Sequence, residues 1–113
     1  MVGKAIAAAT ILAKDGVECE VIDLRTLSPI DMETVIESVE NTGRLVVVDE
    51  ANPRCSIATD VSAQVAQQAF KSLKAQIEMV TAPHTPVPFT TTLENLYIPS
   101  AEQIVVAVRK TLN

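Results

Sequence analysis

The 113-residue chain has no tryptophan, one histidine, and only three aromatic side chains, Phe70, Phe89 and Tyr97. Single-stranded nucleic acid is held by stacking on aromatic rings, and duplexes by a basic stripe that neutralises phosphates. Nine Lys and Arg are instead scattered among fourteen Asp and Glu, for a net charge of −5. Nucleic acid is therefore not an expected partner. Cys19 and Cys55 are the only cysteines, too few and too far apart for a zinc site or a disulfide framework. They read as free thiols of a cytoplasmic protein. Glycine is equally scarce: Gly3, Gly16 and Gly43 leave no Gly-rich loop that could cradle a phosphate. Long apolar runs are missing too. Ala5 to Ala13 is broken by Thr10 and falls far short of the ~20 residues of a membrane span. No export signal precedes it.

What is present is ordinary globular composition, 48% hydrophobic and 20% charged, in a length that suits one domain over residues 1–113. The chain alternates helical and strand patterns. Small apolar residues from Lys4 to Lys14 predict a helix packed on more than one face and stopped at Asp15-Gly16, where glycine suits a left-handed cap. Cys19 to Leu24 reads as a strand. Ser28-Pro29 predicts a helix start with proline at the first position, followed by Met32, Val35, Ile36 and Val39 on one stripe. Leu45-Val46-Val47-Val48 is an unbroken β-branched run, expected of a parallel strand covered on both faces. Ile57, Val61, Val65 and Ala69 mark a helix to Ser72, and Ile77 to Val80 a third strand. Four prolines between Thr81 and Pro99 predict a long loop, which is either functional or laid against a partner. Ser100 and Gln103 then form a capping box that opens a last helix. The fold class is α/β, three layers in the order α/β/α around a mostly parallel sheet.

In such sheets ligands sit beyond the carboxyl ends of the strands. That edge is expected to collect Asp23 and Arg25, then Asp49, Glu50 and Arg54, and finally His84 in its proline-flanked loop. An enzyme reading would make His84 an acid or base tuned by Asp49 or Glu50. An ion-pair network that orders loops or meets another subunit uses the same residues and is the favoured reading. Cys55 beside Arg54 lacks a nearby histidine to activate it. No serine has nucleophile-elbow surroundings, which disfavours a hydrolase. A stand-alone ligand-binding or receiver-like domain with Asp49 as phosphoacceptor is the alternative. It lacks an acidic pair after an earlier strand and a lysine after a later one.

The tracts Val21-Ile22-Asp23-Leu24-Arg25-Thr26-Leu27-Ser28-Pro29-Ile30-Asp31, Thr42-Gly43-Arg44-Leu45-Val46-Val47-Val48-Asp49-Glu50, Pro86-Val87-Pro88 and Leu93-Glu94 resemble the carboxyl-terminal domain of transketolase-like enzymes. More closely they resemble the β-subunit of thiamine-diphosphate-dependent 2-oxo acid dehydrogenases. The run Asp49 to Ala58, with Ala82 to Phe89, is most similar to the acetoin dehydrogenase branch, with the pyruvate dehydrogenase β-subunit close by. The resemblance implies an oxidoreductase parent with thiamine diphosphate and magnesium. In that family the cofactor lies between the α-subunit and the amino-terminal domain of the β-subunit, so no residue here is expected to be catalytic, cofactor-binding or metal-binding. The implied role is non-catalytic: subunit assembly with α- and β-subunit copies, and docking to an acyltransferase core. Interface or loop-ordering candidates are then Asp23, Arg25, Asp49, Glu50, Arg54, His84, Pro86 and Pro88, with Arg109 to Asn113 as a weaker docking candidate. The resemblance also implies a short apolar strand ahead of Met1, between the strands matching Cys19–Leu24 and Leu45–Asp49. Its absence marks the chain as amino-terminally truncated relative to the family, leaves a slot in the sheet, and leads us to expect self-association, most simply as a dimer.

Overall fold

The computed structural model describes all residues, Met1–Asn113. Its elements are α1 (Val2–Lys14), α2 (Met32–Thr42), β1 (Val46–Val48), α3 (Ile57–Gln68), a single 3₁₀ turn (Phe70–Ser72), β2 (Glu78–Val80), α4 (Thr91–Tyr97) and α5 (Ala101–Leu112). The two strands run parallel in the register Val46–Glu78, Val47–Met79 and Val48–Val80. Side chains alternate across a strand, and the valine run uses that alternation. Val46 and Val48 pack on Ala8 and Leu12 of α1 and Ile104, Val105 and Ala107 of α5. Val47 packs on the opposite side, against Val35 and Val39 of α2 and Val61 and Val65 of α3. Two apolar cores on two faces of one parallel sheet give the three-layer α/β/α architecture.

Helix ends follow from short polar side chains that satisfy the first free amides of each helix. Ser100 and Gln103 form the expected box, with Ser100 N–H donating to Gln103 Oε1 at 2.8 Å and Gln103 N–H to Ser100 Oγ at 3.3 Å. Ser56 and Thr59 form a second box on α3, a signal the sequence carries in Ser-x-x-Thr form. Ser56→Ala is expected to lower stability by about 1 kcal/mol, read as an earlier urea midpoint with an unchanged slope. Gly43 closes α2 at φ 76, and its amide donates to Val39 C=O at 2.7 Å. A side chain there would be strained by the left-handed backbone as well as crowded by Lys74.

Four details differ from the sequence expectation. Cys19–Leu24 forms no strand, because a strand needs a paired neighbour and none lies beside it. The helix expected at Pro29 begins at Met32. Ser28 and Pro29, joined by a cis peptide, sit in a turn closed by a Leu27–Ile30 bridge. Asp31 takes over as cap, accepting from Thr34 N–H at 3.1 Å and from the Thr34 hydroxyl at 2.7 Å. These bonds, the hydroxyl's foremost, hold the Asp31 carboxyl below its ordinary range. The help this cap gives to folding is therefore complete above the ordinary carboxylate range and fades as pH falls through the lowered value. The helix expected to reach Ser72 stops at Gln68 and ends in the 3₁₀ turn. Finally, the proline-rich connection contains α4, a two-turn helix that fits in the proline-free stretch between Pro88 and Pro99.

Candidate interface and sheet-edge groove

The residues singled out from the sequence divide between two places. Asp23 lies near the end of the unpaired segment 19–24 and Arg25 just after it, and they pair with each other. Arg25 Nε donates to Asp23 Oδ2 at 3.2 Å and Arg25 N–H to Oδ1 at 3.3 Å, with Arg25 at a positive φ of 53. This pair is exposed and contributes little to stability. Asp49, at the end of β1, orders the next turn by accepting from Ala51 N–H at 3.0 Å. Asn52 does the same for Arg54 N–H at 2.9 Å, which leads the chain through Cys55 at φ 51 to the Ser56 cap.

Asp23, Arg25 and Asp49 share the rim of one groove, whereas Glu50, Arg54, His84, Pro86 and Pro88 lie outside it. No ion pair joins Arg25 or Arg54 to Asp49 or Glu50. In place of the network expected across the three loops, the first two hold short turns closed by Asp23, Asp49 and Asn52, and the third a backbone turn in which Thr85 N–H donates to Pro83 C=O. Glu50 is exposed, so Glu50→Ala should change stability by only about 0–1 kcal/mol. Thermal unfolding that shifts well beyond this would reveal a buried partner. At the other end, Arg109 and Lys110 make surface pairs within the chain, to Asp15 at 2.6 Å and Glu78 at 3.5 Å.

His84, Pro86 and Pro88 lie in a segment whose apolar side chains face water, which the sequence pattern did not reveal. Val87 is 67% exposed, Phe89 fully exposed, Leu93 53% and Leu96 79%. Water-facing apolar side chains in one segment are the mark of a surface that another protein covers. The segment is anchored at both ends rather than loose. Ala82 N–H donates to Ala51 C=O at 3.1 Å, the Tyr97 hydroxyl to Thr85 C=O at 3.4 Å, and Lys4 Nζ to Pro99 C=O at 2.7 Å. The available signal was Leu93 and Leu96, three residues apart on one side of a short helix that follows Val87 and Phe89.

The groove is the second feature. It encloses about 810 Å³ between β1 and residues 17–27, floored by apolar side chains of both cores. Cys19 lies on its wall, and burial, with a smaller contribution from the charge of Glu18, pushes that thiol above its ordinary pKa. Cys19 is thus a poor nucleophile at neutral pH.

Neither place fits thiamine diphosphate with magnesium. No three His, Cys, Asp or Glu side chains are grouped to hold a metal ion. Gly16 and Gly43 close helices at their carboxyl ends, and Gly3 stands alone in the first turn of α1, so there is no run of glycines to form a phosphate-binding turn.

Comparison with known proteins gives the family. The family described as "Transketolase, C-terminal domain" matches residues 1–104. The β-subunit of an acetoin:2,6-dichlorophenolindophenol oxidoreductase from Cupriavidus necator is 73% identical over 112 residues, covering 99% of this chain and 33% of the relative. The protein of the same description from Bacillus subtilis is 52% identical over 104 residues, covering 92% of this chain and 30% of the relative. The β-subunit of the pyruvate dehydrogenase E1 component from Rickettsia bellii is 44% identical over 106 residues, covering 94% and 33%. The chain spans about a third of the length of these curated relatives. With residues 1–104 of its 113 matched, the chain belongs to the transketolase C-terminal domain family.

Proposed function

We propose that the 113 residues form one domain that assembles and docks the β-subunit of a thiamine-diphosphate-dependent acetoin or pyruvate (2-oxo acid) dehydrogenase and carries no catalytic group of its own. The observation that carries this reading is the exposure of the apolar side chains Val87, Phe89, Leu93 and Leu96, in the segment that holds His84, Pro86 and Pro88 and is tied back by the Tyr97 hydroxyl on Thr85 C=O. A surface of this kind, fixed at both ends by hydrogen bonds, gains by being covered and loses little entropy when it is. Its partners are the α-subunit and β-subunit copies of the parent dehydrogenase, including further copies of this domain, and the acyltransferase core. The 73% identity to an acetoin oxidoreductase subunit, against 44% to a pyruvate dehydrogenase subunit, favours the acetoin branch. Cofactor and magnesium belong to the rest of that enzyme, in keeping with a donor set here that does not suit them. No helix is long and apolar enough to cross a membrane, and the two free thiols suit the reducing cytoplasm.

The test is association. The chain is mixed with the α-subunit of the Cupriavidus relative and the part of its β-subunit that this chain does not match, and the mixture is resolved by size-exclusion chromatography with light scattering. Stoichiometric co-elution is expected. A chain that elutes alone at micromolar concentration overturns the reading.

A further inference from the structure

Between Ala82 and Ser100 the chain leaves the body of the domain and returns to it. Ala82 N–H, donating to Ala51 C=O at 3.1 Å, is the last backbone tie on the way out, and Ser100 opens α5 on the way back. No residue from Pro83 to Ile98 belongs to either core. Residues 83–96 are exposed apart from half-buried Pro88. The order within this arm is internal. Thr85 N–H donates to Pro83 C=O at 2.8 Å, α4 bonds within itself, and the Tyr97 hydroxyl closes back on Thr85 C=O at 3.4 Å. These bonds shape the arm without fixing the angle at which it leaves the domain.

The returning stem supplies that constraint. Pro99 is fully buried. Proline has no N–H, so the carbonyl is its one backbone polar group, and a buried carbonyl without a partner is costly. Helix α5 does not use it, since the Ile104 N–H donates to Ser100 C=O at 3.3 Å. The partner is Lys4 Nζ, which donates to Pro99 C=O at 2.7 Å across 95 positions of sequence. It is the one hydrogen bond that joins residues 83–99 to the rest of the chain, and no ion pair supplements it.

Lys4 stands there against its simplest preference. It lies in the first turn of α1 and reaches the residue before the cap of α5, and amino-terminal helix ends repel cations. A lysine ordinarily keeps its stem on the protein and turns its ammonium out to water, yet Lys4 is half-buried. Glu102, in the first turn of α5, offsets the repulsion. Its carboxyl is held below the ordinary range, first by its own N–H and the Ser100 side chain and to a lesser degree by the charge of Lys4.

We propose that Lys4 is the positioning residue of the arm 83–98: its ammonium, bonded to the Pro99 carbonyl, pins the returning stem to α1 and so fixes where the arm presents Phe89. The inference rests on the reading that the arm docks, and it adds what controls that docking. Only the pinned fraction of the arm meets a partner in the right place, and apparent affinity falls with that fraction.

The test follows the arm without a partner. Spin labels are attached at Asn95→Cys in α4 and Gln67→Cys in α3, both exposed positions, in the full 113-residue chain with Cys19→Ser and Cys55→Ser. Pulsed electron resonance then gives the distribution of distances between them. One narrow distribution is expected with Lys4 in place. Lys4→Met keeps the apolar stem and donates nothing. Loss of a hydrogen bond from a charged donor shifts the balance from pinned to swung arm by about tenfold or more, so a second, broader population should appear. Lys4→Arg supplies a cationic donor again and should restore the narrow distribution. Lys4→Gln, too short to reach, is the second unpinned variant in case Lys4→Met fails to fold, as judged by circular dichroism. Equally narrow distributions with and without the lysine, or equal broadening in Lys4→Arg and Lys4→Met, overturn the proposal. Association with the partner subunits is measured in parallel on the unlabelled chain. A chain that does not associate overturns the docking reading, while the distances still judge the pin.

Discussion

Leu12→Ala should lower the stability of the chain by about 2–5 kcal/mol. Leu12 is among the largest fully buried side chains, 1% exposed, and it joins α1 to α5 and the underside of β1. Removing its isopropyl group loses the transfer energy and leaves a cavity that a two-stranded sheet has little capacity to close. A domain of this size has about 5–15 kcal/mol to lose, so the variant sits near the limit of folding. Ile11→Ala is the matched control, because Ile11 is 38% exposed and outside the cluster. Urea unfolding should show a large drop in midpoint for Leu12→Ala and a small one for Ile11→Ala. Equal shifts would mean that α1 does not pack as described.

Phe89→Asp should leave folding intact and weaken association. The Phe89 ring is fully exposed, so its replacement is expected to change stability by no more than about 0.5 kcal/mol. Exposed aromatic side chains that anchor an interface typically contribute 2 kcal/mol or more, so its loss should weaken binding to the partner subunits by about 30-fold. Leu96→Asp, on α4, is the second variant. Titration calorimetry with the partner subunits measures the effect, and circular dichroism confirms the fold. Unchanged affinity in both variants would place the assembly surface elsewhere on the chain.

The parts of the fold that periodicity controls were legible in the sequence. The run Leu45 to Val48 announced a strand covered on both faces, and the stripe Val35, Val39 with Val61, Val65 announced the layer beneath it. Ser100 and Gln103 announced α5, because a capping box is written within four residues. What escaped depended on partners distant in sequence. Cys19–Leu24 has the composition of a strand and no neighbour to pair with. Pro29 has the look of a helix start, while Asp31 and Thr34 make the better cap. The candidate site was legible as a set of charged residues but not as an arrangement. Asp23, Asp49 and Asn52 each close a turn two residues away, and the apolar surface around Phe89 shows itself only when the chain is folded and nothing covers it.

The assay implied by the relative's description decides the central claim most directly: acetoin-dependent reduction of 2,6-dichlorophenolindophenol with thiamine diphosphate and magnesium present. It is run on this chain alone, on the α-subunit of the Cupriavidus relative with the part of its β-subunit that this chain does not match, and on all three together. An assembly domain without catalytic groups predicts no turnover by the chain alone, little by the incomplete enzyme, and restored turnover in the full mixture. Turnover by the chain alone, or full turnover without it, would contradict the account.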